Sequence, residues 1–336
     1  MSERCRYVIG SECIHGNDLF ECIISPENLF VAWLEFRRGK RTKPDIQQFE
    51  FALEDNIFQL HDEFVSGVYR HGAYTPFTVN DPKPRRIHKA SVRDRLVHHA
   101  VFRILYPIFD RSFIFDSYSC RIRKGTHSAV RRMRLFAMKM SENNSRDFLV
   151  LKCDVRRFFD SVDHDILLSL IRRKISDVNA LKLITIILES FHKTPGVGIP
   201  LGNITSQLFA NIYLNELDRF VKHELRVRFY LRYCDDFFLV GYSSEILLTF
   251  KDRISEFLSR NLQTKLHPDK ISIRSYRQGI DMLGYVIRPY HTRLRTKTKK
   301  RMLKMVTIEN IPSYLGMLKH CNGYTLEQYI RNLVSF

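Results

Sequence analysis

No apolar run in the 336 residues approaches the ~20 needed to cross a bilayer, so nothing reads as a membrane span. No secretory leader pattern opens the chain, because Met1 to Gly10 is short and mixed in polarity. The seven cysteines, at positions 5, 13, 22, 120, 153, 234 and 321, are odd in number and never form a C-x-x-C pair. That argues against a disulfide framework and against a zinc ribbon, and favours a reducing, cytoplasmic setting. Internal repeats and low-complexity tracts are also missing. Negative charge is scarce: Lys+Arg 54 against Asp+Glu 36 gives +18 and a pI near 9.7. Such a chain is most simply the partner of a polyanion. An anionic membrane surface is the rival, but no amphipathic anchor supports it.

Apolar residues make up 44% of the chain, enough to core roughly two domain-sized units. Residues 28–70 read as helical: Leu29, Ala32, Trp33 and Phe36 share one face, and Phe49, Leu53, Ile57, Leu60 and Phe64 another. A basic loop, Arg37 to Lys43, separates the two. Tyr74 to Val79 reads as a short strand stopped by Asp81-Pro82-Lys83-Pro84. Residues 92–107 read as a helix ended by Pro107. Phe148 to Asp154 has the continuous apolar character of a buried strand. Asp163 suits the N-cap of a helix holding Ile166, Leu167, Leu170 and Ile171. Leu181 to Phe191 and Asn203 to Phe220 read as further helices. Phe229–Tyr233 and Phe237–Val240 make a hairpin with an acidic pair at its turn. Ile246 to Leu258 is helical, Ile271–Ile273 and Met282–Ile287 are strands, and the tail from Lys297 is helical and basic. Strands separated by helices that return to one sheet indicate an α+β fold.

The chemistry centres on Tyr233-Cys234-Asp235-Asp236 and an upstream Asp154 that ends an apolar run. Magnesium takes oxygen ligands and keeps waters and substrate phosphates in its shell, so two or three carboxylates suffice. Carboxylates on neighbouring strand ends could hold two such ions, as polymerases do. An Asp-Asp pair alone makes a turn as readily as a site. The order of Asp154, a glycine-rich turn before a helix, and Tyr-x-Asp-Asp makes coincidence a poor explanation. Asp160, Asp163 and Asp165 read as a turn and a helix cap.

Phe148–His164, Gly198–Leu217 and Leu231–Val240 resemble motifs A, B and C of the reverse transcriptase palm. The resemblance implies a right-hand polymerase fold: N-terminal helices and fingers over 1–147, palm over 148–287, and a short helical thumb over 288–336. It implies Asp154, Asp235 and Asp236 as catalytic metal ligands, with Val155 in the metal set, and two Mg2+ ions for which Mn2+ could substitute. Phe159, five residues beyond Asp154, matches the family's aromatic beneath the incoming sugar. A rigid ring there occupies the space a 2′-hydroxyl would need. Lys270 resembles a motif D lysine able to protonate the leaving pyrophosphate.

Gly198-Ile199-Pro200-Leu201-Gly202-Asn203-Ile204-Thr205-Ser206-Gln207 opens a helix, with glycines that allow close backbone approach to a substrate. Most reverse transcriptases carry Gln before the second glycine; this chain has Leu201. The Gly202-x-x-x-Ser206-Gln207 pattern resembles the reverse transcriptases of diversity-generating retroelements, which copy a template-repeat RNA into cDNA mutated at adenines. Leu201 cannot make the hydrogen bond that Gln would, so relaxed fidelity is expected. The resemblance implies nucleotide contacts from Arg85, Arg86, Phe159, Leu201, Gly202 and Lys270. It implies RNA or primer contacts from Lys83, Lys89, Arg95, Arg123, Lys124, Ser206, Gln207, Tyr233, Leu283, Gly284, Arg293, Arg295, Lys299 and Lys300. Every charged residue from Arg288 to Lys304 is basic, as a thumb on a nucleic-acid backbone requires.

The expected partners are the template RNA, the RNA–cDNA hybrid and a small basic accessory variability protein that forms a pentameric barrel, with no membrane. No endonuclease, integrase or RNase H pattern follows the basic stripe. The alternatives are a retron or group II intron-type enzyme, against which Leu201 and Ser206-Gln207 argue, and a non-catalytic RNA-binding scaffold, against which the three aspartates argue.

Overall fold

A computed structural model describes residues 18–80 and 83–334. Met1 to Gly10, Cys5, Cys13, Asp81 and Pro82 lie outside the described residues. In chain order the elements are α1 (Leu19–Ile24), α2 (Pro26–Phe36), α3 (Pro44–Phe51), α4 (Leu53–Val65), β1 (Thr75–Val79), β2 (Arg85–Lys89), α5 (Val92–Asp110) and α6 (Thr126–Met140). Then follow β3 (Leu149–Asp154), α7 (His164–Arg172), α8 (Val178–Glu189), α9 (Ile204–Arg219), β4 (Tyr230–Tyr233), β5 (Asp236–Gly241) and α10 (Ser244–Asn261). The last are β6 (Ser272–Ser275), β7 (Ile280–Met282), β8 (Tyr285–Ile287), β9 (Thr292–Leu294), α11 (Thr296–Met305), α12 (Ile311–Leu318) and α13 (Tyr324–Val334).

The chain packs as two compact units that alternate along the sequence. One takes the residues up to Phe113, then Arg157–Glu216 and Ser259–Thr264; the other takes Ile114–Arg156, Leu217–Leu258 and the residues from Lys265. In the first unit, α2 buries Leu29, Ala32, Trp33 and Phe36, the face that sequence spacing marks. Ser25 caps α2 through the Asn28 amide, and Asp163 caps α7 through Ile166 N. The antiparallel ribbon of β1 and β2 pairs Thr75 with Lys89 and Val79 with Arg85.

In the second unit, a four-stranded sheet runs β4-β5-β3-β6, and every pairing is antiparallel. One of its faces joins a core with α6 and the β7–β8 hairpin that includes Met133, Phe136, Phe148, Leu231, Phe238 and Tyr285. β7-β8-β9 form a separate small sheet, and α11 to α13 close around Met302, Leu318 and Ile330.

Three expectations are corrected. The helix expected to end at Pro107 continues to Asp110. Proline there has no amide to donate within the helix, but only three residues follow, and buried Phe109 anchors them. Met282–Ile287 is not one strand but a hairpin: Leu283 (φ +51) and Gly284 (φ +89) are both left-handed, as a tight two-residue turn demands. The second helical run, Phe49 to Phe64, breaks at Ala52 into α3 and α4. Among the described cysteines, Cys120, Cys153, Cys234 and Cys321 are free thiols. Among the described residues no helix is long and apolar enough to cross a membrane.

Candidate active site

Asp154 ends β3 and Asp236 begins β5, and the two are direct partners in the antiparallel ladder. Asp235 sits in the turn between β4 and β5. Its carbonyl accepts from Val155 N at 3.2 Å, which fastens the turn to the end of β3. Like charges placed opposite one another weaken a sheet, so this pairing costs stability that an ordinary ladder would keep. Burial, and next the Asp154 and Asp236 carboxylates, push the Asp235 carboxyl up to about 6. Burial likewise raises Asp236, against the opposing pull of Lys152.

Two ammonium groups stand on these carboxylates. Lys270 Nζ donates to Asp154 Oδ1 at 2.7 Å, and Lys152 Nζ lies 3.8 Å from Asp236 Oδ1. Sequence reasoning missed Lys152. Its signal was strand alternation, because residues 152 and 154 share a face. Asp154 is 5% exposed, and Asp235 and Asp236 are half-buried. Among the described residues no three His, Cys, Asp or Glu side chains form a cage for a metal. Crowded carboxylates held half out of water, with cations drawn onto them, are nevertheless the hard-oxygen donor set that magnesium takes while keeping its other ligands as water and phosphate.

Arg232, also unremarked in the sequence, is wholly buried beneath this turn and forks onto Asp218 of α9. Tyr233 donates to or accepts from Thr126 Oγ1 at 3.0 Å. Lys124 donates to the Phe115 carbonyl and lies 4.3 Å over its ring. Arg123 is exposed, at φ +62. Arg295 pairs with Asp281, and Arg293, Lys299 and Lys300 are exposed.

The first unit gathers a second group of expected residues. His88 N donates to the Leu201 carbonyl at 3.1 Å, which ties β2 to the turn before α9. Gly202 has φ +113, and a Cβ there would lie 2.7 Å from Ile87 Cγ2. Lys89 and Arg95 share Asp45, at 2.7 and 2.8 Å. A cavity of about 500 Å³ is lined by Lys40, Lys43, Lys89, Arg95, Phe77 and Gln207, among others. Cations, an aromatic face and an amide are the chemistry of a single-stranded nucleic-acid groove. Lys40, Lys43 and Asp45 were not marked as site residues from sequence; the basic loop Arg37–Lys43 was the signal for the two lysines. Lys83, Arg85 and Arg86 are exposed on the β1–β2 ribbon and its connection. Ser206 is only 2% exposed and faces the interior, so the structure does not support a direct RNA contact from its hydroxyl. Of the two adjacent phenylalanines, Phe158 is buried against Tyr213 and Phe159 is half-exposed, with its carbonyl held by Ile199 N at 2.8 Å.

The family profile described as "Reverse transcriptase (RNA-dependent DNA polymerase)" matches residues 80–287, more than half of the chain. The chain belongs to the reverse transcriptase family. It is an RNA-directed DNA polymerase with that family's right-hand fold. It is 27% identical over 281 residues to Protein YkfC of Escherichia coli K12, covering 71% of this chain and 72% of that protein. It is 29% identical over 231 residues to the group II intron-encoded protein LtrA of Lactococcus lactis, covering 63% of this chain but only 36% of LtrA. In structure it is similar to the apo telomerase of Candida tropicalis, with a TM-score of 0.50 and 13% identity, over 66% of this reverse transcriptase and 55% of that chain. That likeness speaks for the fold alone.

Proposed function

We propose that this reverse transcriptase serves a diversity-generating retroelement, copying template-repeat RNA into cDNA with substitutions at adenines. The observation that carries the reading is the turn before α9. Leu201 stands there with an apolar side chain and its carbonyl already engaged by His88 N, ahead of Gly202 and the Ser206-Gln207 pair. A side chain without donor or acceptor cannot enforce the geometry of the new base pair by hydrogen bonding, and discrimination built on such a bond is forfeited.

In this proposal Asp154, Asp235 and Asp236, with the Val155 backbone beside them, hold two Mg2+ ions, or Mn2+ in their place. Bound there, the ions would activate the primer hydroxyl and hold the triphosphate. Lys270 protonates the departing pyrophosphate once released from Asp154. Phe159 rejects the ribose 2′-hydroxyl, and Arg85 or Arg86 neutralises the triphosphate. Lys83, Lys89, Arg95, Arg123, Lys124, Gln207, Tyr233, the Leu283-Gly284 turn, Arg293, Arg295, Lys299 and Lys300 line the path of the template–primer. Fingers, palm and thumb fall at 1–147, 148–287 and 288–336. A basic pentameric accessory protein joins the complex through the shared RNA, in the cytoplasm.

A second reading, a group II intron-type enzyme, is favoured by the similarity to LtrA. Sequencing the cDNA made on the retroelement's own RNA with magnesium and four dNTPs separates the two. cDNA that carries substitutions clustered at template adenines, and that is not made by Asp235→Asn/Asp236→Asn, supports the retroelement reading. Faithful cDNA moves the enzyme to the intron class, and no cDNA removes both.

A further inference from the structure

We infer that Arg232 is a positioning residue for catalysis: its buried guanidinium clamps the peptide that precedes Asp235. The guanidinium is 1% exposed and its partner Asp218 fully buried. Nε donates to Asp218 Oδ1 at 2.8 Å and Nη2 to Asp218 Oδ2 at 2.7 Å, a two-pronged pairing. Nη2 also reaches Ser117 Oγ at 3.1 Å, and Tyr230 OH donates to Asp218 Oδ1 at 2.7 Å. The remaining nitrogen, Nη1, donates to the Cys234 carbonyl at 3.0 Å.

That last bond separates a clamp from a plain core ion pair. Cys234 lies at φ +55, a conformation a side chain bearing a Cβ rarely adopts unless its surroundings impose it. Asp235 is thereby fixed on both sides: the peptide before it by Arg232 Nη1, and its own carbonyl by Val155 N. The arginine is itself immobile. Its amide donates to the Asp116 carbonyl at 2.9 Å, and its carbonyl accepts from Tyr118 N at 3.0 Å. Burying an ion pair adds little net stability over an apolar pair of the same size. A lysine could pair with Asp218, but one ammonium cannot both fork onto that carboxylate and span to the Cys234 carbonyl. The geometry therefore uses the feature peculiar to arginine, several donors in one rigid plane, to aim the catalytic turn.

The inference rests on Asp235 acting as a metal-binding catalytic carboxylate, and Arg232→Lys tests it. The expected result is a folded protein whose kcat for dNTP addition on primed RNA falls about ten- to a hundredfold, the scale of a small misplacement of a reacting group. KM for dNTP and Kd for the RNA should stay near wild type. Mn2+ binding to the protein without nucleic acid, read by electron paramagnetic resonance, should weaken. A folded Arg232→Lys with wild-type kcat and Mn2+ affinity overturns the inference. So does a parallel loss of kcat, KM and RNA affinity, which would signify general loosening. If Arg232→Lys does not fold, Asp218→Asn keeps Nη1 on the carbonyl while slackening the fork. It should show the same pattern at smaller size, and unchanged kcat and Mn2+ affinity would overturn the inference there. Wild-type protein that makes no cDNA would instead refute the catalytic reading of Asp235.

Discussion

Leu201 and Gly202 occupy one turn under opposite constraints. Gly202 cannot gain a side chain: its φ of +113 is strained for any residue with a Cβ, and that atom would strike the branched methyl of Ile87. Gly202→Ala is expected to destabilise the protein by about 1–3 kcal/mol in urea denaturation, and trimming Ile87→Ala should return only part of it. Leu201 is free to change. Leu201→Gln should lower the substitution frequency at template adenines, and deep sequencing of cDNA would show whether it does; an unchanged frequency would mean that Leu201 merely packs. Phe159 makes a third case, because Phe158 already fills the core beside it. Phe159→Ala should raise incorporation of rCTP relative to dCTP by about ten- to a hundredfold, with little loss of stability. Equal ratios in the mutant and wild type would remove Phe159 from the sugar site.

α5 shows what an element adds to its residues. His98 and His99 lie on it side by side. His98 is buried between Thr205 and His71, and its protonation is pushed well down by burial. Burial, then Lys40, Arg95 and Arg103, lower His99 from 6.5 to about 4. Between those two values the unfolded chain binds the proton and the folded one does not, so stability falls as pH drops from 6.5 towards 4. The His99 share is about 3 kcal/mol. Urea midpoints measured across that range should decline less steeply in His99→Gln than in wild type. Parallel slopes would show that His99 is not held neutral. Much at this scale could be read in the sequence. The β4–β5 hairpin and the Asp163 cap were written in local pattern, two apolar runs flanking an acidic turn and a polar residue before a helical stripe. α6 carried such a stripe too, at Ala129, Val130, Met133, Phe136, Ala137 and Met140, although its many arginines obscured it. Arg232 and Asp218 could not be read. Nothing local distinguishes a buried arginine from a surface one in a chain this basic, and their pairing is made only when β4 meets α9. Pro107 misled for a related reason, since tertiary packing of Phe109 overrides a local stop signal.

Across the molecule, charge is segregated. Residues 18–36 and 44–65 contain ten carboxylates and no lysine or arginine, in a chain of net charge +18. RNA affinity should therefore depend on the residues outside those helices. Lys299→Ala/Lys300→Ala should weaken RNA binding and reduce the slope of log K against log salt by about 0.7–0.9 for each phosphate no longer neutralised. Glu54→Gln/Asp55→Asn should leave that slope unchanged, since neither carboxylate touches a phosphate. Fluorescence anisotropy across a salt series reads both, and equal slopes in all three proteins would separate α11 from the RNA.

The alternation of the two units also bears on synthesis. Helices α1 to α5 leave the ribosome early, yet the unit they belong to still awaits Arg157–Glu216 and Ser259–Thr264. At translation speeds of about 5–20 residues per second, the roughly 150 residues after Phe113 take on the order of ten seconds or more to emerge. For that interval Trp33 and Phe36 can pack on Phe49 and His99, which emerge with them, but α1 still lacks Asp177, whose carboxylate accepts from Phe20 N in the finished molecule. The nascent chain is then a natural client for holdase chaperones, and a translational pause before codon 264 would lengthen its exposure.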